Sequence, residues 1–435
     1  MHASQDERTP HILPRSEHSL SRQDISDSAL KVLGRLHKAG YAAYLVGGGV
    51  RDLLLGLHPK DFDVATDATP EQVNKLFRNC RLIGRRFRLA HIHFGRNIVE
   101  VATFRGHHAD VVDEAIASTR DGMIVRDNVF GTLAEDAWRR DFSVNALYYN
   151  IADFSVVDYT GGLDDLKQRR LRMIGDPHVR CQEDPVRILR AIRFAAKLQF
   201  ELDPELVEAI AEQRERLLAV SSARLYDEVL KMFLSGYAEQ VMPLLRRYDI
   251  LELLFPATDL CLKKGMPFFD ELLWQACKNT DTRIRENKPV TPAFLFACLL
   301  WGPVAERSET LRQSGMSPIQ ALQEAGYEVL QEQTRQVALP KRFRLPIREI
   351  WSGQVRLNNR RGRRAYTLLE SKRFRAIYDF LLLRCEAGDR ELQPLCEWWT
   401  RFQEVSPEER KAMCDALPGK QQRQRPRRRK KRSND

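Results

Sequence analysis

The stretch LVGGGVRDLLLGLHPKDFDVATD, residues 45–67, decides the fold of the N-terminal half. A short apolar run ends in three glycines, and an apolar helical segment, 50–56, follows them directly. The bare backbone of Gly48 and Gly49, beside a helix N-terminus, predicts a turn that a phosphate can approach closely. Arg51 lies in the first turn of this helix, so we expect it to reach such a phosphate directly.

Two aspartates, Asp61 and Asp63, open the next apolar run. On a strand they would share one face, where two like charges repel each other. A divalent cation between them removes that repulsion, and Mg²⁺ prefers a few carboxylates completed by water and phosphate oxygens. The pair therefore predicts a magnesium site, with room for two ions about 3.5–4 Å apart that act on an in-line displacement.

The composition is that of a soluble protein with more than one domain. The chain has 435 residues, of which 30% are charged and 43% hydrophobic. Its longest apolar stretch, 292–304, is too short to span a bilayer, and the first twenty residues lack the apolar core of a signal peptide. Eight cysteines without a C-x-x-C pair indicate neither zinc nor disulfides. We therefore expect no transmembrane segment and a cytoplasmic location.

The positive charge is concentrated at the C-terminus. Residues 420–432, KQQRQRPRRRKKR, supply nine cations and no acid, against a net charge of +11 for the whole chain. Such a run cannot pack and is predicted to be disordered. Clustered cations attract phosphates without shape recognition, which favours binding to nucleic acid over a role in solubility alone.

The texture of the sequence changes near residue 165. Before it, β-like runs alternate with turns and helical segments, and after it helical spacing dominates. This predicts an α+β chain with an α/β head followed by all-helical domains. The predicted divisions are a flexible arm 1–22, a head 23–168, a helical neck 169–236, a helical RNA-binding region 237–415 and a disordered tail 416–435.

Three further segments carry chemistry: EVATFR (100–105), RRDFSVNAL (139–147) and EDPVRILRAIRF (183–194). In the last, Asp184 before a proline predicts a capped helix start. Asp184 and Arg187, one turn apart, could present an acceptor and a donor to a base edge. The alternative is an amphipathic helix with a solvated arginine face.

Together with 45–67, these segments resemble the class II nucleotidyltransferases, the family of tRNA CCA-adding enzymes and bacterial poly(A) polymerases related to DNA polymerase β. The resemblance implies a nucleotidyltransferase head followed by helical neck, body and leg domains, and it implies Mg²⁺ as cofactor with Mn²⁺ as an alternative ion. Asp61 and Asp63 would be the catalytic metal ligands. The implied nucleotide-binding residues are Gly48, Gly49, Arg51, Asn145, Asp184, Arg187 and Arg190, the last of them near the triphosphate.

Two acids compete for the place of a third carboxylate. The resemblance places Asp141 in the site, and an arginine beside it in the chain would keep it ionised. Glu100, on a predicted strand, is the alternative. We favour Asp141, which in some relatives reads the ribose 2′-hydroxyl.

Smaller features favour the poly(A) branch over the CCA-adding branch. The segment 82–94 resembles the former and places Arg85, Arg86 and Arg88 around an aromatic ring, a pattern suited to RNA. The activity implied is transfer of AMP from ATP to RNA 3′ ends, largely regardless of sequence, with RNA-decay factors as candidate protein partners. A tRNA CCA-adding enzyme and a non-catalytic RNA-binding protein remain alternatives. The tail cations expected on RNA are Arg427, Arg428, Arg429, Lys430, Lys431 and Arg432.

Overall fold

The computed structural model describes residues 9–84, 88–106, 119–120, 123–124 and 130–417. These residues form two compact units. The first comprises the chain up to Phe255 together with 280–286 and 336–338, and the second comprises the remainder.

An eight-stranded sheet organises the first unit, in the order β1-β10-β9-β2-β3-β6-β5-β4. Neighbours are antiparallel except β3 and β6, which are parallel. Two short pairs, β7 with β8 and β11 with β12, lie outside this sheet. The strands are β1 His11–Leu13, β2 Ala43–Val46, β3 Asp63–Thr66, β4 Cys80–Ile83, β5 Leu89–Phe94, β6 Asn97–Thr103, β7 Thr119–Arg120, β8 Met123–Ile124, β9 Leu147–Asn150, β10 Val156–Asp158, β11 Arg170–Leu171 and β12 Glu201–Leu202.

Helices interleave with these strands and then take over the chain. The helices up to residue 255 are α1 Asp27–Lys38, α2 Gly48–Leu54, α3 Pro70–Leu76, α4 Leu133–Trp138, α5 Gly162–Gln168, α6 Pro177–Glu183, α7 Val186–Leu198, α8 Pro204–Gln213, α9 Ser222–Phe233, α10 Ala238–Arg247 and α11 Leu251–Leu254. Those that follow are α12 Pro256–Lys263, α13 Phe269–Arg285, α14 Pro292–Leu299, α15 Trp301–Gln313, α16 Pro318–Gln336, α17 Lys341–Arg356, α18 Arg363–Leu369, α19 Phe374–Glu386, α20 Gln393–Glu404 and α21 Pro407–Asp415. The predicted α+β class is confirmed.

Local signals explain where several helices begin. Thr69 and Gln72 form a reciprocal capping box at the start of α3, as do Thr132 and Glu135 at the start of α4. In the second unit, the apolar run at 292–304 is divided between the buried helix α14 and the first turn of α15. None of the helices in the described residues is long and apolar enough to cross a membrane.

The segment predicted as a flexible arm is in part an ordered edge of the sheet. Residues 11–13 form β1 and pair with β10, and the imidazole Nε2 of His18 lies 2.9 Å from the carbonyl of Phe154. Leu20 is fully buried. The open edge of β10 provides the hydrogen-bonding partners, which the local sequence of the arm does not reveal.

The boundary between the two units also differs from the predicted start of the RNA-binding region at residue 237. Helices α10 and α11 belong to the first unit, where α10 packs against α7 and α9. The second unit has its own core, in which Trp399 is fully buried and donates its indole N–H to the carbonyl of Leu357 at 3.0 Å. The predicted tail, 416–435, lies outside the described residues beyond Leu417.

Candidate active site

The glycine turn connects β2 to α2. Gly47 has φ 72° and ψ −131°, a conformation that residues with a side chain rarely adopt. A Cβ atom on Gly49 would lie 3.6 Å from both the backbone oxygen of Asp61 and the ring of Phe62. The turn and the start of the aspartate segment are therefore packed against each other.

Asp61 does not lie on the strand, contrary to the prediction. β3 begins at Asp63, which pairs with Val46, the last residue of β2. Beyond Val46 the chain leaves the sheet through the glycine turn, so Asp61 has no ladder partner. Asp63 is also the register neighbour of Glu100 on β6. Glu100 and Asp61 are both near enough to Asp63 for their charges to act on it.

The negative charge of Asp63 lies in an unfavourable environment. Burial, followed by the charge of Glu100, raises the pKa of Asp63 to about 6; Asp61 adds to this effect and Arg140 opposes it. Among the described residues, neither Asp61 nor Asp63 has a salt-bridge partner. Two acids without a cation partner could supply a few of the oxygen ligands of a divalent metal. Within the described residues, no group of three or more His, Cys, Asp or Glu side chains is arranged so that it could hold a metal ion.

Arg140 is a fixed cation whose charge acts on Asp63. Its guanidinium donates to Asp136 at 3.0 Å and to the hydroxyl of Tyr148 at 2.8 Å. Burial opposes its charge, but Tyr148 and Asp136 hold the pKa of Arg140 above its ordinary value. Nη1 lies 3.5 Å from the position of a Cβ on Gly47. Sequence reasoning considered Arg140 only as a partner of Asp141.

Asp141 pairs instead with Arg190, 49 residues away. Its Oδ2 accepts from Nε of Arg190 at 2.7 Å and also from Nη2, and its Oδ1 accepts from the amide of Phe142 at 2.9 Å. Burial opposes ionisation, yet Arg190 and these hydrogen bonds lower the pKa of Asp141 below its ordinary value. The predicted site residues Asp141 and Arg190 are therefore brought together.

Arg51 points into the protein, contrary to the direct phosphate contact that we predicted. It is 1% exposed, and its guanidinium donates to Oδ1 of Asp52 at 2.6 Å and to Oδ1 of Asn145 at 2.5 Å. The acid that follows it in the chain and the buried amide of Asn145 hold it there. In the sequence, the aspartate directly after Arg51 is the feature that could have indicated this ion pair.

The two residues predicted to read a base lie at the junction of α6 and α7. Oδ1 of Asp184 accepts from the amide of Val186 at 3.2 Å, and Oδ2 accepts from Arg224 on α9 at 2.6 Å. Asp184 is not the N-cap of α7, contrary to the prediction: that position is taken by Pro185, and Asp184 ends α6. The ion pair with Arg224, 40 residues away, was not foreseen.

Arg187, on α7, is held by residues of the preceding helix, α6. Its Nη1 donates to Oε2 of Glu183 at 2.8 Å and to the carbonyl of Arg180 at 2.6 Å. Arg180 in turn donates to the carbonyls of Arg139 and Arg140 at 2.7 Å. Arg187 is thereby connected, through Arg180, to the turn that carries Asp141.

The predicted RNA contacts are mostly outside the described residues. Arg85 and Arg86 are not described, and neither are Arg427–Arg429 and Lys430–Arg432. Arg88 is described, is exposed, and pairs with Glu71 at 2.6 Å.

Family models match three parts of the chain, which together exceed half of it. The descriptions are "Poly A polymerase head domain" for residues 43–172, "Probable RNA and SrmB- binding site of polymerase A" for 199–262 and "Polymerase A arginine-rich C-terminus" for 314–433. The head model spans all the site elements from β2 to Asp141.

Similar proteins fall on both branches of the family, but unequally. The poly(A) polymerase I of Escherichia coli O6:H1 is 51% identical over 411 residues, 93% of this chain and 88% of that protein. The CCA-adding enzyme of Bacillus pumilus is 36% identical over 218 residues, 50% of this chain and 52% of that protein. The match to poly(A) polymerase I therefore covers nearly the whole chain, whereas the match to this CCA-adding enzyme covers half of it.

A solved structure supports the fold. The Bacillus stearothermophilus CCA-adding enzyme in complex with CTP matches with a TM-score of 0.54 at 23% identity, covering 87% of this chain and 82% of that chain. The identity and coverage of the sequence relatives decide the branch, and this chain belongs to the poly(A) polymerase I family of nucleotidyltransferases.

Proposed function

We propose that this protein is a template-independent adenylyltransferase that transfers AMP from ATP to RNA 3′ ends and releases pyrophosphate. The observation that carries the proposal is the position of Asp61 and Asp63 beside the glycine turn, without a cation partner among the described residues. The similarity to poly(A) polymerase I over 93% of this chain supports poly(A) as the product.

The donor set at this position fits Mg²⁺. Asp61 and Asp63 would hold it, since their carboxylates repel each other and Mg²⁺ accepts a few such ligands completed by water and substrate oxygens. Bound there, divalent ions would acidify the RNA 3′-hydroxyl and neutralise the charge that develops on pyrophosphate. Mn²⁺ has a similar preference for oxygen ligands and would substitute.

We further propose Glu100, rather than Asp141, as the third carboxylate. Glu100 is the register neighbour of Asp63, and its charge is the strongest acidic influence on the pKa of Asp63. Both oxygens of Asp141 already accept hydrogen bonds from Arg190, Phe142 and Asn145. Asp141 is thus better placed to contact the nucleotide than a metal ion.

The remaining residues would position the nucleotide. Gly48 and Gly49 present backbone without side chains where a phosphate would approach, and Arg140 supplies a fixed positive charge nearby. Asp184 and Arg187 would contact the base edge. Since each of these groups is already held by neighbours, catalysis would come mainly from placement and charge neutralisation.

An extension assay tests the activity. We expect an unstructured oligo(A) primer to be extended by many nucleotides with ATP and Mg²⁺, and hardly at all with CTP. Addition of only three nucleotides, confined to tRNA, would instead identify a CCA-adding enzyme. Binding of RNA without any extension would identify a non-catalytic RNA-binding protein.

The C-terminal cations should contribute a salt-sensitive part of RNA binding. Replacing the nine Lys and Arg residues of 420–432 by Gln should weaken binding and reduce the slope of log K against log salt by at most about 6, from about 0.7 per phosphate on single strands. A variant with the same residues in permuted order keeps the charge and should bind as the wild type does. An unchanged slope in the Gln variant would exclude the segment from RNA binding.

A further inference from the structure

A chain of six hydrogen-bonded side chains connects α7 to the turn that holds Asp141, and we call it the polar chain. Two of its members, Asp52 and Lys197, have no role in the proposed function. The contacts run Lys197 Nζ to Asp52 Oδ2 at 3.0 Å, Arg51 Nε to Asp52 Oδ1 at 2.8 Å, Arg51 Nη1 to Asn145 Oδ1 at 2.5 Å, Asn145 Nδ2 to Asp141 Oδ1 at 3.5 Å, and Arg190 Nε to Asp141 Oδ2 at 2.7 Å.

The middle of the polar chain is buried. Arg51 is 1% exposed, Asp52 6% and Asn145 7%. The guanidinium of Arg51 lies 5.4 Å from the ring centre of Phe194, which closes one side of it. Removing one member would take one hydrogen-bonding partner from its buried neighbour, which is costly away from water. The geometry of each member therefore depends on the next.

Both ends of the polar chain lie on α7. Arg190 and Lys197 are seven residues apart, two helical turns, and so occupy one face of the helix. Through Asp52 and Arg51 this face is connected to α2, and through Asp141 it is connected to the turn that precedes β9. The polar chain thus holds α2, α7 and this turn in one arrangement.

The chemistry of Arg51 and Asp141 decides how the amide of Asn145 points. A guanidinium only donates hydrogen bonds, and an ionised carboxylate only accepts them. The amide oxygen must therefore face Arg51 and the amide nitrogen must face Asp141. Arg51 in this way aims the N–H groups of Asn145 at the candidate nucleotide site.

The last contact of the polar chain is its weakest. At 3.5 Å, Nδ2 of Asn145 and Oδ1 of Asp141 form a weak hydrogen bond. A hydroxyl group can accept from one and donate to the other, and so can bridge a donor and an acceptor placed side by side. The ribose of a nucleotide carries such hydroxyls, and a 2′-deoxyribose has lost one of them.

We propose that Asp52 and Lys197 are positioning residues that, through Arg51, align Asn145 with Asp141 to select ribose over deoxyribose. This inference rests on the proposed function, since it takes ATP as the nucleotide. Lys197 neutralises Asp52, Asp52 fixes Arg51, and Arg51 fixes the amide that meets the sugar.

Equilibrium binding of ATP and of 2′-deoxy-ATP to the full-length protein with Mg²⁺ tests this inference. The wild type should bind ATP about tenfold more tightly or better. Lys197→Met and Asp52→Asn should each reduce that ratio by about fivefold or more, whereas Lys197→Arg, which keeps the cation, should retain it. Lys263→Met is the matched control, because Lys263 pairs with the mostly buried Asp259 at 2.8 Å in the second unit; it should leave the ratio unchanged.

Three results would overturn the inference. The first is equal binding of both nucleotides by the wild type, and the second is an unchanged affinity ratio in Lys197→Met and Asp52→Asn. The third is an equal loss of affinity for both nucleotides in Lys197→Met that is also seen in Lys197→Arg. If thermal unfolding shows that Lys197→Met is not folded, Asp52→Asn, which keeps the size of the side chain, tests the inference alone. A wild type that selects ATP over 2′-deoxy-ATP but does not extend RNA would contradict the proposed function and not this inference.

Discussion

Asp63→Asn is expected to reduce AMP incorporation by about a thousandfold or more while it stabilises the metal-free protein. The loss of activity follows from removing one of the two acids proposed to hold Mg²⁺. The gain in stability follows from the pKa of Asp63, which burial, Glu100 and Asp61 raise to about 6. Protein surrounds the carboxylate closely enough to raise its pKa, but the residue still has an exposed surface. Solvent at that surface screens the repulsion, so we expect a gain of only about 1 kcal/mol in the free energy of unfolding.

The stability difference should depend on pH in one direction. Below about pH 4 the carboxyl is protonated in the folded and the unfolded chain, and Asp63→Asn should match the wild type. As the pH rises through 6, the unfolded chain releases this proton more readily than the folded one does, so the wild type loses stability. The difference should therefore be complete above about pH 7, and thermal unfolding without metal measures it.

Addition of Mg²⁺ provides a readout that does not depend on activity. At pH 7.5 the ion should raise the Tm of the wild type more than that of Asp63→Asn, since it binds the folded state through this carboxylate. Asp164→Asn is the control, because Asp164 is an exposed acid on α5. A variant with unchanged Tm at every pH and an undiminished response to Mg²⁺ would contradict the proposed metal site.

Segments with local signals were predictable from the sequence. The glycine turn requires a positive φ at Gly47, and the Thr69 capping box fixes the start of α3. Glu100, which was expected on a strand, lies in β6. In these cases the short-range pattern and the final environment agree.

The parts that could not be predicted depend on residues far apart in the chain. The partner of Asp141 is Arg190 rather than its neighbours at 139 and 140, since Arg140 is already held by Asp136 and Tyr148. Residues 11–13 lie within a mostly polar N-terminal stretch, yet they pair with the edge strand β10 and so belong to the sheet. Which side chains and strands pair is decided by competition among all the partners available in the folded state. The spacing of residues along the sequence does not reveal the outcome.

Base selection likewise depends on contacts that the sequence does not reveal, and the contacts of Arg187 allow a second specific prediction. Arg187→Ala should lower the preference for ATP over CTP, measured as the ratio of the two kcat/KM values, by about 10- to 100-fold. Its Nη1 is used by Glu183 and the carbonyl of Arg180, and within the described residues its Nε and Nη2 have no protein acceptor. These two donors are therefore the groups available to a base edge.

The fold should survive this substitution. Burial and then the charge of Arg187 lower the pKa of Arg180 to about 10, so removing Arg187 relieves a like-charge contact while it costs the pair with Glu183. We expect the two effects largely to offset each other, and thermal unfolding checks this. Arg187→Lys keeps the charge but loses the planar fork, and it should lose most of the preference as well. Arg216→Ala, at an exposed arginine of the same unit, should keep it. Wild-type selectivity in both Arg187 variants would exclude Arg187 from base recognition, because neither retains the geometry that the reading requires.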